Sequence, residues 1–148
     1  MTRAYASQNC VFCAIIRGET EATMVASNSQ CVAFFPDEPA TLGHTLIIPR
    51  RHLPDLWSID ADELGSALTA MAIRVGRALY AVVKPEGMNL ITSAGAAAEQ
   101  TVFHLHLHVV PRWSSDRIGP IWPEGGLSLG PQANELAAAL RTAYDAQM

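Results

Sequence analysis

The stretch FHLHLHVVPR, from Phe103 to Arg112, places three of the five histidines of the chain at alternate positions. Side chains of a β-strand alternate between its two faces, so a strand over 102–110 would put His104, His106 and His108 on one face. A polar strand face is normally filled by Thr, Ser, Lys or Glu. Imidazole serves near neutral pH as nucleophile, acid, base or metal ligand, so the row predicts a functional site.

Two kinds of site use histidines in this pattern. They can hold a catalytic zinc, or they can bind and attack an anionic phosphoryl group. A catalytic zinc usually adds a carboxylate or a further imidazole and keeps one position open. The nearest acidic residues are Glu99 upstream and Asp116 downstream. This spacing does not favour an all-histidine metal centre.

Composition narrows the class of protein. The chain has 148 residues, of which 49% are hydrophobic and 16% charged, as is typical of one globular domain. The net charge is −4 and the basic residues are scattered, which argues against a nucleic-acid surface. The N-terminal MTRAYASQN leads to no apolar segment, and no apolar run is long enough to cross a membrane. We therefore expect a cytoplasmic protein with no membrane partner.

The apolar pattern predicts the secondary structure. From Asp60 to about Val83, apolar residues recur at steps of three and four, which predicts a long amphipathic helix. The other predicted elements are a short helix over 10–17, strands over 22–27, 30–35, 44–50, 88–92 and 102–110, and a final helix after Pro131. About five strands with two main helices, in hairpin-like order, indicate an α+β domain built on an antiparallel sheet. We expect a flexible tail over 1–9 and one domain over 10–148.

The motif HLHLHVV resembles the His-x-His-x-His-x-x signature of the histidine triad (HIT) superfamily of nucleotide hydrolases and transferases. The flanking GHTLIIPRRH from Gly43 to His52, the lead-in Gln100-Thr101-Val102 and the early Cys10-x-x-Cys13 agree with it. The resemblance covers about Cys10 to Trp122. Trp122-Pro123 and the CxxC look more like the nucleoside phosphoramidase-like, purine nucleotide-binding branch. The resemblance implies a HIT-like fold and a homodimer.

The resemblance also implies a reaction. His106 looks like the nucleophile that attacks the α-phosphorus of a purine nucleotide and forms a covalent nucleotidyl-histidine, from which water releases a nucleoside monophosphate. His108 and His44 resemble the flanking histidines that position the phosphate, and Thr101 resembles a hydroxyl residue that assists there. The implied substrate is a purine nucleoside 5′-phosphoramidate or a related phosphoanhydride. The alternatives are a dinucleoside polyphosphate hydrolase and a nucleotide-binding regulatory protein with incidental catalysis.

Nucleotide contacts follow the family pattern with two departures. Family members commonly carry an Asp at the position of Pro36, and Asp37 stands one place later. They often carry an Asn at the position of Ser93. We expect Asp37, Ser93 and Gln100 to contact the phosphate or ribose. The apolar pocket for the base is predicted from Val32, Phe34, Phe35 and Ile48.

The CxxC pair has several interpretations on its own: half of a metal site, a redox pair or an accident. In zinc-containing members of the HIT superfamily, which this chain resembles, two early cysteines bind the metal together with two histidines. One histidine follows a Pro-basic-basic turn, and the other is the first histidine of the row. The implied ligands are Cys10, Cys13, His52 and His104. Four closed ligands of this type describe a structural zinc. The alternative is a metallohydrolase with zinc on the histidine row, and Cys31 is expected to be a core residue.

Overall fold

A five-stranded antiparallel sheet organises the computed structural model, which describes residues 8–60 and 62–148. The strand order is β1-β2-β3-β5-β4, with β1 Met24–Ser27, β2 Cys31–Phe34, β3 Thr45–Pro49, β4 Gly87–Ile91 and β5 Leu107–Arg112. The helices are α1 Val11–Ile16, α2 Asp62–Val82 and α3 Gln132–Asp145, with short 3₁₀ turns at Leu56–Ser58 and Ala96–Ala98. The predicted α+β class is confirmed.

Helix α2 covers one face of the sheet. Its residues Leu68, Met71, Val75 and Leu79 are buried at helical spacing, as the apolar pattern predicts. They pack into a core with side chains of β2, β3 and β5, namely Cys31, Ala33, Ile47, Leu107 and Val109. The helix also carries the chain from β3 to the edge strand β4, so that β5 returns between them.

The opposite face of the sheet has a smaller core. Val32 and Phe34 of β2 and Leu46 and Ile48 of β3 pack there against Phe12 of α1. Each of these five side chains is at most 7% exposed. Because residues in a strand alternate faces, the same face receives His108, which lies opposite Leu46 in the β3–β5 register. Helix α1 therefore covers the face of the sheet that carries His108.

The strand predicted over 102–110 is shifted. β5 begins only at Leu107, so His108 lies in the strand while His104 and His106 precede it. The backbone N–H of Leu105 donates to the carbonyl of Leu53, outside the sheet, with an N···O distance of 2.6 Å. His104 and His106 are still buried and His108 is partly buried, but simple strand alternation does not explain the orientation of the row. Specific hydrogen bonds do so instead.

The described chain divides into two compact units, one ending at Arg117 and one running from Ile118 to Met148. The second unit contains α3. The predicted domain over 10–148 stays a prediction, and the predicted tail falls mostly on residues 1–7, outside the described part. Among the described helices, none is both long and apolar enough to cross a membrane.

Candidate active site and metal cluster

The middle histidine of the row is held by the backbone. Nδ1 of His106 lies 2.7 Å from the carbonyl oxygen of His104. A carbonyl only accepts hydrogen bonds, so Nδ1 carries the hydrogen and Nε2 keeps its lone pair. Burial lowers the pKa of His106, and the bond to the His104 carbonyl opposes that shift. His106 is thus a neutral imidazole with one nitrogen available for nucleophilic attack.

Two further histidines lie beside it. Nε2 of His44, just before β3, is 2.9 Å from Nδ1 of His108. The ring centroids of His106 and His108 are 4.8 Å apart. Burial, with smaller contributions from His106 and His44, lowers the pKa of His108 from 6.5 to about 4. Burial and then His106 also lower the pKa of His44. All three imidazoles are therefore neutral near pH 7.

These histidines line a cleft of about 560 Å³. Its apolar part includes Phe34, Phe35, Leu46 and Ile15. Its polar part includes the predicted residues Thr101 and Asp37, together with His44, His106 and His108. Thr101 and Val102 also line an adjoining cavity of about 890 Å³ that reaches Cys10 and His52. The structure thus brings together most of the residues predicted to act on a nucleotide.

Four predicted contacts lie elsewhere. Val32 and Ile48 are core residues under α1, at most 2% exposed, and do not line the cleft. Ser93 is half-buried in the segment after β4 and is also outside the cleft lining. Gln100 is buried, and its amide serves the backbone: Oε1 accepts from Gly95 N, and Nε2 donates to the carbonyls of Pro54 and Val102. This bonding gives Gln100 a structural role.

The predicted metal ligands form a cluster. One ligand atom from each of Cys10, Cys13, His52 and His104 lies within 4.8 Å of the others. The Sγ to Nδ1 distances are 3.4 Å for Cys10 to His104, 3.5 Å for Cys13 to His104 and 3.3 Å for Cys13 to His52. Zn–S and Zn–N bonds at the tetrahedral angle give S···N edges of about 3.6 Å. The side chains therefore fit a tetrahedral metal ion.

The environment of the cluster also suits a cation. Nε2 of His104 donates to the carbonyl of Pro49 at 2.8 Å, which leaves the Nδ1 lone pair directed at the two thiols. Burial, with a further contribution from Cys10, raises the pKa of the Cys13 thiol to about 11. Two thiolates are costly in that position unless a positive charge joins them. The four residues can hold a metal ion.

Two supporting residues are absent from the sequence prediction. Phe12, between the cysteines, presents a T-shaped contact to His104 and to His106, with centroid distances of 5.8 and 5.2 Å. Thr92 donates its hydroxyl to the carbonyl of His106 at 2.9 Å. The position of Phe12 between the two cysteines could have indicated that its ring lies next to the metal cluster. Thr92 carried none, because its role depends on the pairing of β4 with β5.

Sequence alignments with related proteins cover most of the chain. The model of the HIT domain matches residues 17–115. "Protein hit" of Bacillus subtilis is 33% identical over 119 residues, which are 80% of this chain and 81% of the relative. "Adenylylsulfatase HINT3" of Arabidopsis thaliana is 34% identical over 142 residues, 90% of this chain and 68% of the relative.

Solved structures agree with this relationship. A HIT family protein from Bacillus subtilis superposes with a TM-score of 0.84 at 29% identity, over 90% of this chain and 96% of that one. A zinc-bound histidine triad protein from Mycobacterium smegmatis gives 0.67 at 33%, over 96% and 99%. A hypothetical histidine triad nucleotide-binding protein from Sulfolobus tokodaii gives 0.69 at 31%, over 86% and 85%.

These superpositions confirm the HIT-like fold predicted from the motif. A HIT family hydrolase from Clostridium thermocellum extends the set, with a TM-score of 0.67 at 33% identity over 76% of this chain and 98% of that one. The matched region contains the histidine row and most of the cleft described above. The chain therefore belongs to the HIT family, which includes nucleotide-binding proteins and hydrolases.

Proposed function

We propose that the protein hydrolyses, or transfers the nucleotidyl group of, a purine nucleoside 5′-phosphoramidate or a related phosphoanhydride. The observation that carries this proposal is the imidazole of His106. Its Nδ1 is tied to the His104 carbonyl at 2.7 Å, and its ring lines a cleft that also holds His44 and His108. An anchored neutral imidazole is a nucleophile that needs no prior deprotonation.

The reaction has two displacements. Nε2 of His106 attacks the α-phosphorus, a P–N bond forms to the imidazole, and the bond from phosphorus to the leaving nitrogen or oxygen breaks. Water then attacks phosphorus, the bond to His106 breaks, and a nucleoside monophosphate is released. In the first displacement the leaving group takes a proton from solvent as its bond to phosphorus breaks. In the second displacement the attacking water gives its oxygen to phosphorus and returns one proton to solvent, so the two steps together consume one water. His108 and Thr101 line the cleft, where they can donate hydrogen bonds to the charged phosphoryl oxygens.

The shape of the cleft supports a nucleotide ligand. A volume of about 560 Å³ lies within the range of small-molecule sites. Phe34 and Phe35 offer apolar surface for a base, and the exposed carboxylate of Asp37 can accept hydrogen bonds from ribose hydroxyls. The Arabidopsis relative is an adenylylsulfatase by name, which supports both an adenosine base and a phosphorus centre carrying a good leaving group.

We also propose that zinc occupies the cluster of Cys10, Cys13, His52 and His104 in a structural role. A closed Cys₂His₂ set leaves no open position for water or substrate. When bound, the metal would supply a fixed positive charge that joins α1 to the first histidine of the row. Positioning of the reacting His106 then follows from the bond that it makes to the His104 carbonyl.

A cytoplasmic homodimer completes the proposal. Strand β4 is an edge of the sheet, and its Leu90 is 56% exposed. On α2, Ile73, Tyr80 and Val82 are exposed as well. An open strand edge and exposed apolar side chains each favour association with a second copy. Sedimentation equilibrium, which measures the mass in solution, tests this part of the proposal.

The decisive experiment measures AMP release from adenosine 5′-phosphoramidate, adenylyl sulfate and a diadenosine polyphosphate by wild type and by His106→Asn. We expect wild type to release AMP, most rapidly from the phosphoramidate, and the variant to lose at least about a thousandfold in rate. The intermediate should appear as a nucleotidyl adduct of wild type in quenched mass spectra. Unchanged AMP binding and melting temperature in the variant serve as the control for folding.

Other results would select other functions. Fastest release from the diadenosine polyphosphate would indicate a dinucleoside polyphosphate hydrolase. Tight AMP binding without turnover of any substrate would contradict the enzyme assignment and favour a regulatory nucleotide-binding protein. Activity abolished by chelation in a protein that stays folded would favour a metallohydrolase.

A further inference from the structure

The backbone of the loop before β3 contacts the imidazole of His44. The N–H of Ala40 donates to Nδ1 of His44, with an N···N distance of 3.0 Å. A backbone N–H can only donate, so Nδ1 must be the acceptor and carries no hydrogen. A doubly protonated His44 would place two hydrogens between these nitrogens. The contact therefore fixes His44 as the neutral tautomer with its hydrogen on Nε2.

The same logic extends to the next imidazole. Nε2 of His44 is 2.9 Å from Nδ1 of His108, and the hydrogen between them belongs to His44. Nδ1 of His108 is then an acceptor as well. A neutral His108 must carry its hydrogen on Nε2. One backbone N–H thus determines the tautomers of two successive histidines.

We propose that the Ala40 N–H is a positioning group that holds His44 and His108 neutral, so that His108 presents Nε2–H to the phosphoryl oxygen as a hydrogen-bond donor. The ligand in this statement rests on the proposed function. The pair has no spare proton, so it stabilises charge on the phosphoryl oxygens but does not protonate the leaving group. The leaving group takes a proton from solvent as it departs, and the water that attacks phosphorus in the second displacement returns one proton to solvent.

The surroundings show why such a device is needed. His106 faces the pair and, if protonated, opposes a second positive charge. Asp37 and Glu38 line the same cleft from the loop, and a carboxylate close to an imidazole favours its protonated form. Burial adds to the preference for neutral imidazoles. The N–H of Ala40 settles this competition geometrically, because the charged form of His44 has no acceptor for it.

The loop is held well enough to play this part. The hydroxyl of Thr41 donates to the carbonyl of Pro111 in β5 at 2.7 Å. The N–H of His44 donates to the carbonyl of Thr41 at 3.1 Å. Gly43 turns the backbone between them with φ of 85°. The donor and its acceptor imidazole therefore belong to one turn tied to the sheet.

Imidazole nitrogen spectra test the proposal without any substrate. Long-range ¹H–¹⁵N correlations of the wild-type protein at pH 7, assigned with His44→Gln and His108→Gln, distinguish the two tautomers. We expect hydrogen on Nε2 in both His44 and His108. Hydrogen on Nδ1 of either residue, or a protonated ring at pH 7, would overturn the proposal whether or not the protein has the proposed activity.

A backbone substitution tests the role in the reaction. Ala40→Pro removes the N–H, whereas the matched control Ala40→Ser keeps it; the side chain of Ala40 is exposed. In Ala40→Pro the acid limb of the profile of kcat/KM against pH should move up by about one unit, since His44 can now be protonated. Ala40→Ser should keep the wild-type limb and tautomers. Equal limbs in a folded Ala40→Pro would refute the role, and if this variant fails to fold, the wild-type spectra decide.

Discussion

At the scale of single residues, backbone groups orient three of the five histidines. The carbonyl of Pro49 holds His104, the carbonyl of His104 holds His106, and the N–H of Ala40 holds His44. Backbone groups cannot change their donor or acceptor character with pH. Each of these imidazoles therefore has one tautomer imposed on it, which determines whether its second nitrogen is a donor or an acceptor.

This arrangement makes the folded state sensitive to acid. His108 has a folded pKa of about 4 against 6.5 in an unfolded chain. Between these values the unfolded state binds more protons, so the stability is full above pH 6.5 and falls as the pH decreases toward 4. We expect His108 to contribute a loss of about 2 kcal/mol between pH 7.5 and 5.0.

Urea denaturation of wild type and His108→Asn at the two pH values measures this contribution. The variant should lose about 2 kcal/mol less than wild type over the same interval, although its stability at pH 7.5 is lower. Comparing the two slopes removes the contributions of groups that titrate equally in both proteins. Parallel losses would show that His108 is not held neutral in the folded state.

At the scale of elements, the turn before β3 joins the loop that contains Ala40 and Thr41 to the long helix. Gly43 has φ of 85°, a left-handed backbone conformation that residues other than glycine adopt only at a cost in free energy. A Cβ at this position would lie 2.8 Å from Cδ2 of Leu79 in α2. The turn can therefore approach the helix only because no side chain intervenes, and the adjacent His44 takes its position from that approach.

Gly43→Ala should consequently lower the free energy of unfolding by about 2 kcal/mol and reduce activity through displacement of His44. The matched control is Gly65→Ala in α2, where a Cβ meets no atom within 4 Å and the backbone is helical. That substitution should stabilise the protein by about 0.5–1 kcal/mol. Urea denaturation provides both values. A Gly43→Ala protein as stable as wild type would contradict the steric argument.

Most elements could be predicted from the sequence because their signals are local. The apolar stripe of α2 and the turn-prone residues between β1 and β2 lie within a few residues of the structure that they specify. The start of β5 could not be predicted in this way. Apolar alternation continues through 102–107, but the partner of Leu105 is the carbonyl of Leu53, and only the tertiary fold brings these together.

At the scale of the whole molecule, the metal cluster connects three distant segments. Cys10 and Cys13 come from the start of α1, His52 follows β3, and His104 precedes β5. Phe12 packs between this cluster and His106, with edge contacts to both His104 and His106. Loss of a bound metal would thus affect both the helix over the cleft and the histidine row that contains His106.

Cys10→Ser should therefore lose zinc and stability together. We expect about one zinc per chain in wild type, none in the variant, and a melting temperature lower by about 10 °C or more. Cys31→Ala is the matched control, because Cys31 is buried under α2 outside the cluster. It should lose some stability and keep its zinc. Atomic emission and thermal melting provide both measurements, and full zinc content in Cys10→Ser would exclude this ligand set.

The sequence predicts those parts of the site in which the side chain itself makes the contact. The spacing of the histidines and the CxxC pair, read with the family resemblance, named every member of the metal cluster and the nucleophile candidate. Ala40 could not be predicted, because its contribution is a backbone N–H that any residue except proline provides. Gln100 is the opposite case: its side chain suggested a contact with the nucleotide, but its amide forms hydrogen bonds to the backbone of Gly95 and Pro54.

The separation of the four cluster residues along the chain has a consequence for biosynthesis. Cys10 and His104 are 94 positions apart, so their meeting closes nearly the whole first compact unit. Translation proceeds from the N-terminus, and both thiols of the CxxC leave the ribosome long before their imidazole partner exists. A nascent chain therefore spends most of its synthesis with two uncovered cysteines, exposed to oxidants and to competing metal ions until the histidine row has been translated.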